Sequence, residues 1–180
     1  DHVPITCSLA LALHQSQNSS KAQKILKNTY KLQPHRDLAS CWLKTQLGLK
    51  PLEIYQSLEK LTQNQPDHPE TMWVMAQAAF DAQLWGQAHK YLHDLHKDYG
   101  DTQGVCYMIA QLEEAQHPHN NDLIRSWWRR AMAVGPEKHW GCQKCDYHSA
   151  QWHPICPKCG ALNQCHWHGF QKVLDKQLLA

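Results

Sequence analysis

Apolar residues recur at three- and four-residue spacings over most of the first 136 positions, the pattern of helices that each bury one face. It is interrupted at Pro34, Pro66, Gly100 and Pro136, which stand 32, 34 and 36 residues apart. A period near 34 residues is that of the tetratricopeptide repeat, a pair of antiparallel helices. Small or apolar residues fall where such helices would pack. Leu9 and Ala10 precede Ala22, Leu26 and Thr29; Cys41 and Trp42 precede Ile54, Leu58 and Leu61. Met72, Met75 and Ala76 precede Ala88, Leu92 and Leu95, with Leu84-Trp85-Gly86 at the turn between them. The last unit carries Met108, Ala110, Ile124, Trp128 and Ala131, with a slightly longer loop at 117–121.

These units predict an all-α protein. Residues 1–136 form a tetratricopeptide-like, right-handed array of about eight helices, in which stacking neighbours complete a core that no single pair could bury. The second unit departs from the pattern by placing Trp42 where a small residue is expected. In such an array the first helix of each pair lines a concave groove. Inward-facing positions there are Arg36, Leu43, Trp73, Gln77, Phe80, Tyr107 and Gln111, the candidates for binding a partner.

The periodicity stops at about residue 137, and a different chemistry takes over. Cys142-Gln-Lys-Cys145 and Cys156-Pro-Lys-Cys159-Gly160 are two C-x2-C pairs separated by ten residues. Each pair suits a knuckle presenting two thiolates to one ion, and four soft ligands make a closed, structural tetrahedral site. Pro157 sets a turn and Gly160 supplies a left-handed conformation after the last ligand. Two disulfides or a redox C-x2-C are the competing uses. Zinc and iron both suit four thiolates; zinc is favoured because knuckles this close need no redox role. The metal ribbon is assigned to residues 137–170 and a C-terminal tail to 171–180. About 30 residues hold little core of their own, so Trp140, Tyr147, Trp152 and Trp167 are expected either to supply it or to pack on the last helix pair near Trp127 and Trp128.

Composition narrows the function. The chain of 180 residues has 18 Lys and Arg against 16 Asp and Glu, a formal charge of +2, too small to imply nucleic acid by itself. Arg125, Trp127, Trp128, Arg129 and Arg130 combine base with aromatic rings, but helical packing already needs Trp128. Of eight cysteines, Cys7, Cys41 and Cys106 lie singly in apolar helical patterns, as small hydrophobes do. Cys165-His166-Trp167-His168 could offer alternative ligands to a shell that is already full. His89, His93 and His96 share one helical face, read as solvated. Neither C-x2-C pair is followed by His, which excludes covalent c-type haem. No Ser/His/Asp grouping, phosphate loop or paired-carboxylate motif is present, so no enzyme activity is expected. No run approaches the ~18 apolar residues of a membrane span. The chain begins Asp-His-Val-Pro and reads as part of a longer protein.

The sequences Trp140-Gly-Cys142-Gln-Lys-Cys145, Gln151-Trp152-His-Pro-Ile-Cys156-Pro-Lys-Cys159-Gly160-Ala and Trp167 resemble the C-terminal ribbon of the bacterial HemY family. Upstream, Asn64-Gln-Pro66-Asp-His-Pro69-Glu, Ala82-Gln-Leu-Trp85-Gly86-Gln-Ala88 and Gln111-Leu-Glu-Glu-Ala115 look similar to it as well. These are haem-biosynthesis-associated membrane proteins whose helical repeats precede such a ribbon. The LapB family, membrane-anchored regulators of envelope lipid assembly, has a similar architecture. The resemblance implies an N-terminal anchor upstream of this chain, a scaffold role, and a protein or peptide partner, itself membrane-associated. With the thiolate chemistry it implies a place on the cytoplasmic face of the inner membrane. The alternative from a different class is a haem or porphyrin carrier.

Overall fold

The computed structural model describes residues 3–46, 48–135 and 139–173. Among them are eight helices: α1 (Val3–Gln15), α2 (Ser19–Leu32), α3 (Arg36–Lys44), α4 (Pro51–Thr62), α5 (Pro69–Asp81), α6 (Trp85–Tyr99), α7 (Gln103–Gln116) and α8 (Asn121–Val134). Three short strands follow, β1 (Trp140–Cys142), β2 (His148–Ser149) and β3 (Cys165–Trp167). Consecutive helices pack on one another, and α1 and α5 both also touch α3. Pro136 and residues 174–180 of the tail lie outside the described residues.

Helix boundaries follow local chemistry. Pro51 and Pro69 open α4 and α5 at positions that need no amide hydrogen. The Lys50 amide donates to Glu53 at 2.8 Å, tying the start of α4. Two histidines do the work usually given to Ser or Asp: His35 Nδ1 accepts from the Asp37 amide at 3.0 Å, and His68 Nδ1 from the Glu70 amide at 3.2 Å. Gln17 and Gln83 take left-handed conformations, with φ of 63° and 57°, and reverse the chain inside the first and third helix pairs. Gly100 ends α6 at φ 70°.

One apolar core runs through the helices. Ala10, Ala22, Leu26, Leu58, Leu61, Met75, Ala76, Ala88, Leu92 and Leu95 are all buried in it. Two packing positions differ from expectation. Leu9 is 48% exposed while Val3 and Ala10 bury instead, and Tyr30, not Thr29, is the buried residue in the last turn of α2. Tyr30 reaches across to α5, where its hydroxyl meets that of Thr71 at 3.0 Å. Trp42, out of place in the sequence pattern, is accommodated by a serine opposite. Its indole N–H donates to Ser57 Oγ at 2.8 Å, and Ser57 passes the bond on to Gln46 Oε1. Cys41 and Cys106 are buried and Cys7 half-buried, as apolar cysteines should be.

The strands form one antiparallel sheet in the order β2-β1-β3. Trp140 pairs with Ser149 and Trp167, and Cys142 with Cys165. Gly141 is required between them: a Cβ there would collide with His168 and come within 2.9 Å of His148.

Candidate metal centre and the groove beside it

The two C-x2-C segments fold alike. The Cys142 amide donates to Tyr147 O, and the Asp146 amide to Cys142 O, both at 2.9 Å. Fourteen residues on, the Cys156 amide donates to Ala161 O and the Gly160 amide to Cys156 O, again at 2.9 Å. Asp146 and Gly160, each just after the second cysteine, are both left-handed, with φ of 53° and 69°. Gly160 was recognisable as such from sequence. Asp146 was not, although Asp tolerates this region better than most residues do.

The knuckles face one another across the site. Sγ of Cys142 lies 3.8 Å from that of Cys159, and Sγ of Cys145 lies 3.6 Å from that of Cys156. All four sulfurs lie within 4.8 Å of one another, and among the described residues no other group of three or more ligand-type side chains is so placed. A tetrahedron with metal–sulfur bonds of about 2.3 Å has edges of about 3.8 Å. The observed separations therefore fit an ion at the centre, and they exceed the about 2.05 Å of a disulfide. Cys142, Cys145, Cys156 and Cys159 could thus hold a metal such as zinc. Burial opposes ionisation of Cys156, but the amides of Cys159 and Lys158 and the sulfurs of Cys145 and Cys142 outweigh it and lower its pKa to about 6. Burial, aided by the neighbouring sulfurs, pushes Cys145 up to about 12. Cys165 is buried beside Cys142 and Cys156, within the ribbon's small core with Tyr147 and Trp152, but is not one of the four.

Among the described residues the ribbon's rings do not pack on Trp127 or Trp128. Trp127 is engaged by Arg130, whose guanidinium lies 4.1 Å from the ring centroid, and Trp128 meets Tyr107 edge-on at 4.8 Å. Trp140 and Trp167 instead clasp His35 at the start of α3, with ring centroids 5.6 and 4.4 Å away. His139 stacks on Trp167 at 5.3 Å. Beyond β3 the chain runs over the helix ends. Phe170 packs on Trp73 and Tyr99, and the Val173 amide donates to Asp98 O at 3.2 Å.

At the centre of this seam is an ion pair. Arg36 Nε donates to Glu70 Oε2 at 2.8 Å and a terminal nitrogen donates to Oε1 at 3.2 Å. The Arg36 amide also donates to Oε2 at 3.3 Å, so one carboxylate caps α3 while standing in the first turn of α5. The guanidinium lies 5.1 Å from the Trp167 ring, 5.4 Å from Trp73 and 5.6 Å from Phe170.

His35 stands buried in this seam. Its Nδ1 is an acceptor, so the proton sits on Nε2, which is buried without a hydrogen-bond partner. Burial lowers its pKa below the ordinary value, against the opposing pull of Asp37 and Glu70. A histidine depressed in the folded state contributes stability that is complete above about pH 6.5 and is lost as pH falls through that value. Melting temperature should therefore drop between about pH 7 and 5.5. His35→Asn keeps an N-cap and should flatten that part of the profile. An unchanged slope would assign it to other groups, His68, whose pKa burial also lowers, or the thiolates of the four-cysteine site.

Of the seven groove candidates, four share one depression. Arg36, Trp73, Gln77 and Tyr107 line a cavity of about 720 Å³ with Asp37, Ser40, Gln103, Gly104 and, from the ribbon side, His139. Leu43 lines an adjoining cavity of about 270 Å³. Phe80 and Gln111 line neither: the Phe80 ring packs edge-on against Trp85 at 5.6 Å, fixing the turn into α6. The histidine face of α6 is only partly solvated. His93 is exposed, whereas His89 meets Gln116 Oε1 at 2.7 Å and His96 meets Asp101 and Arg130. No protein-family model matches the chain, and no curated protein is significantly similar to it.

Proposed function

We propose that this chain is a protein-interaction scaffold: a tetratricopeptide-like array that holds a peptide segment of a partner, with a structural zinc ribbon fixed at one end of the groove. The observation that carries the reading is the larger cavity. Its floor comes from the first helices of three successive pairs, α3, α5 and α7, and the ribbon contributes a wall through His139. The packing of α3 on both α1 and α5 and the short reversals at Gln17 and Gln83 support a stacked array. A site closed by four sulfurs leaves the ion no open position for substrate, so its work is to hold the ribbon where it shapes the groove. The HemY-like sequences quoted above supply the rest of the proposal, a membrane-tethered scaffold associated with haem biosynthesis.

Peptides selected from a random displayed library on the immobilised protein should bind in this groove. Tyr107→Ala and Gln77→Arg should each weaken the best binder about tenfold, whereas Lys24→Ala on α2 should leave it unchanged. Equal effects of all three would remove the groove from the proposal. Four thiolates persist in a reducing compartment, which favours the cytoplasmic face of the inner membrane for the full-length protein. Among the described residues no helix is long and apolar enough to cross a membrane. If the thiolates place the domain on the cytoplasmic face, protease added to intact spheroplasts should spare it, and cleavage there would put it outside.

A further inference from the structure

The larger cavity continues into the narrower slot between α3, α4 and α5, with Arg36, Ser40 and Gln77 common to both. The slot is walled by Leu43, Ile54, Leu58, Val74 and Ala78, an aliphatic lining without a ring. At about 270 Å³ it has room for one branched side chain, not for a large ligand.

Charge is distributed unevenly along this surface. Asp81, the last residue of α5, stands at the slot, with its side chain exposed to solvent. It makes no ion pair or hydrogen bond with any described residue. The apolar surroundings raise its carboxyl's pKa, because desolvation penalises the charge. Asp37, in the larger cavity, has a side chain 48% exposed, and among the described residues its one ionic neighbour is the buried, neutral His35 at 3.7 Å. Arg36 is the one Lys or Arg among the described residues lining either cavity, and it is paired with Glu70. Among the described residues the groove thus presents two carboxylates lacking a cationic partner beside an aliphatic hole. Gln77 and Gln103 add carboxamides that both donate and accept, suited to the backbone of an extended chain.

We infer that the partner segment is cationic and aliphatic: a Leu or Ile fills the slot, and a Lys or Arg two residues away reaches Asp81. This deepens the peptide-binding reading above and rests on it. In an extended chain residues i and i+2 share a face, and the slot and Asp81 belong to one cavity. A cation there would give Asp81 the ionic partner it lacks among the described residues. An acidic segment would meet two like charges, which selects against it.

The displayed-peptide selection tests this directly on the full chain with metal bound. Enriched peptides should carry Leu or Ile at i and Lys or Arg at i+2. For such a peptide Asp81→Asn should weaken binding about fivefold, while its lysine-to-norleucine version should bind wild type and variant alike. Asp81→Lys should favour the lysine-to-glutamate peptide. If peptides are selected and lose affinity with Tyr107→Ala, yet show no basic residue and respond less than about twofold to Asp81→Asn, the cationic assignment is overturned and the groove stands. Acidic consensus sequences would overturn it equally. If no selected peptide responds to Tyr107→Ala or Asp81→Asn, both readings fail together.

Discussion

Replacing Cys156 with serine is expected to abolish metal binding and unfold the ribbon while leaving most of the helical signal intact. Metal binding contributes on the order of 10 kcal/mol in small thiolate modules, and little else holds this one. Its sheet is three short strands, and its internal core is three buried cysteines with Tyr147 and Trp152 packed against them. The helices have their own continuous core, from Val3 to Leu112. Wild-type protein, purified fresh under reduction, should carry about one equivalent of zinc by elemental analysis, and the variant well under half. Far-ultraviolet dichroism should change little. Near-ultraviolet dichroism should change strongly, because Trp140 and Trp167 lose their fixed contacts with His35. A collapse of the helical signal would show that the ribbon is part of one cooperative unit, and would overturn the division of the chain at residue 137.

What could be read from the sequence divides along the range of the interactions involved. Helix number and most buried alanines followed from local periodicity, since a face that recurs every three or four residues has nowhere else to go. The four-cysteine cluster was equally legible, because a knuckle is a contact within four residues and its cysteines announce themselves by spacing. Leu9 shows the limit: neighbours on either side of it fit a helical face, and the packing of α1 against α2 and α3 leaves Leu9 outside while Ala10 is buried. The seat of the ribbon was not legible at all. It depends on contacts between residues over 100 positions apart, such as His35 with Trp140. The one local sign, histidine just after Pro34 and just before Pro69, marks helix caps whose significance appears only when Glu70 and Arg36 meet. The groove was half legible for the same reason. Arg36, Trp73, Gln77 and Tyr107 keep their register, while Phe80 is drawn away by Trp85.

Glu70→Ala is expected to be the most damaging single substitution among the charged residues, at about 3–5 kcal/mol, because it takes a buried, bidentate carboxylate away from a largely buried guanidinium. The Glu70 side chain is 3% exposed and that of Arg36 is 19% exposed. Neither is therefore comparable to a surface pair, whose loss costs a fraction of a kcal/mol. Three donors converge on the one carboxylate, including the first amide of α3. Removing it also unseats the aromatic rings that enclose Arg36, two of them from the ribbon side of the seam. Glu70→Gln retains the shape and two acceptor sites on its oxygen, so it should cost less than Glu70→Ala. Arg36→Ala should resemble Glu70→Ala, since it strands the carboxylate instead. In a double-mutant cycle the second substitution should add far less than the first, because the stranded charge goes with it. Urea denaturation measured at low and high salt provides the check. A loss below about 1 kcal/mol for Glu70→Ala, or one that shrinks in step with added salt, would mean that the pair is solvated and that the rings alone hold the ribbon to the helices.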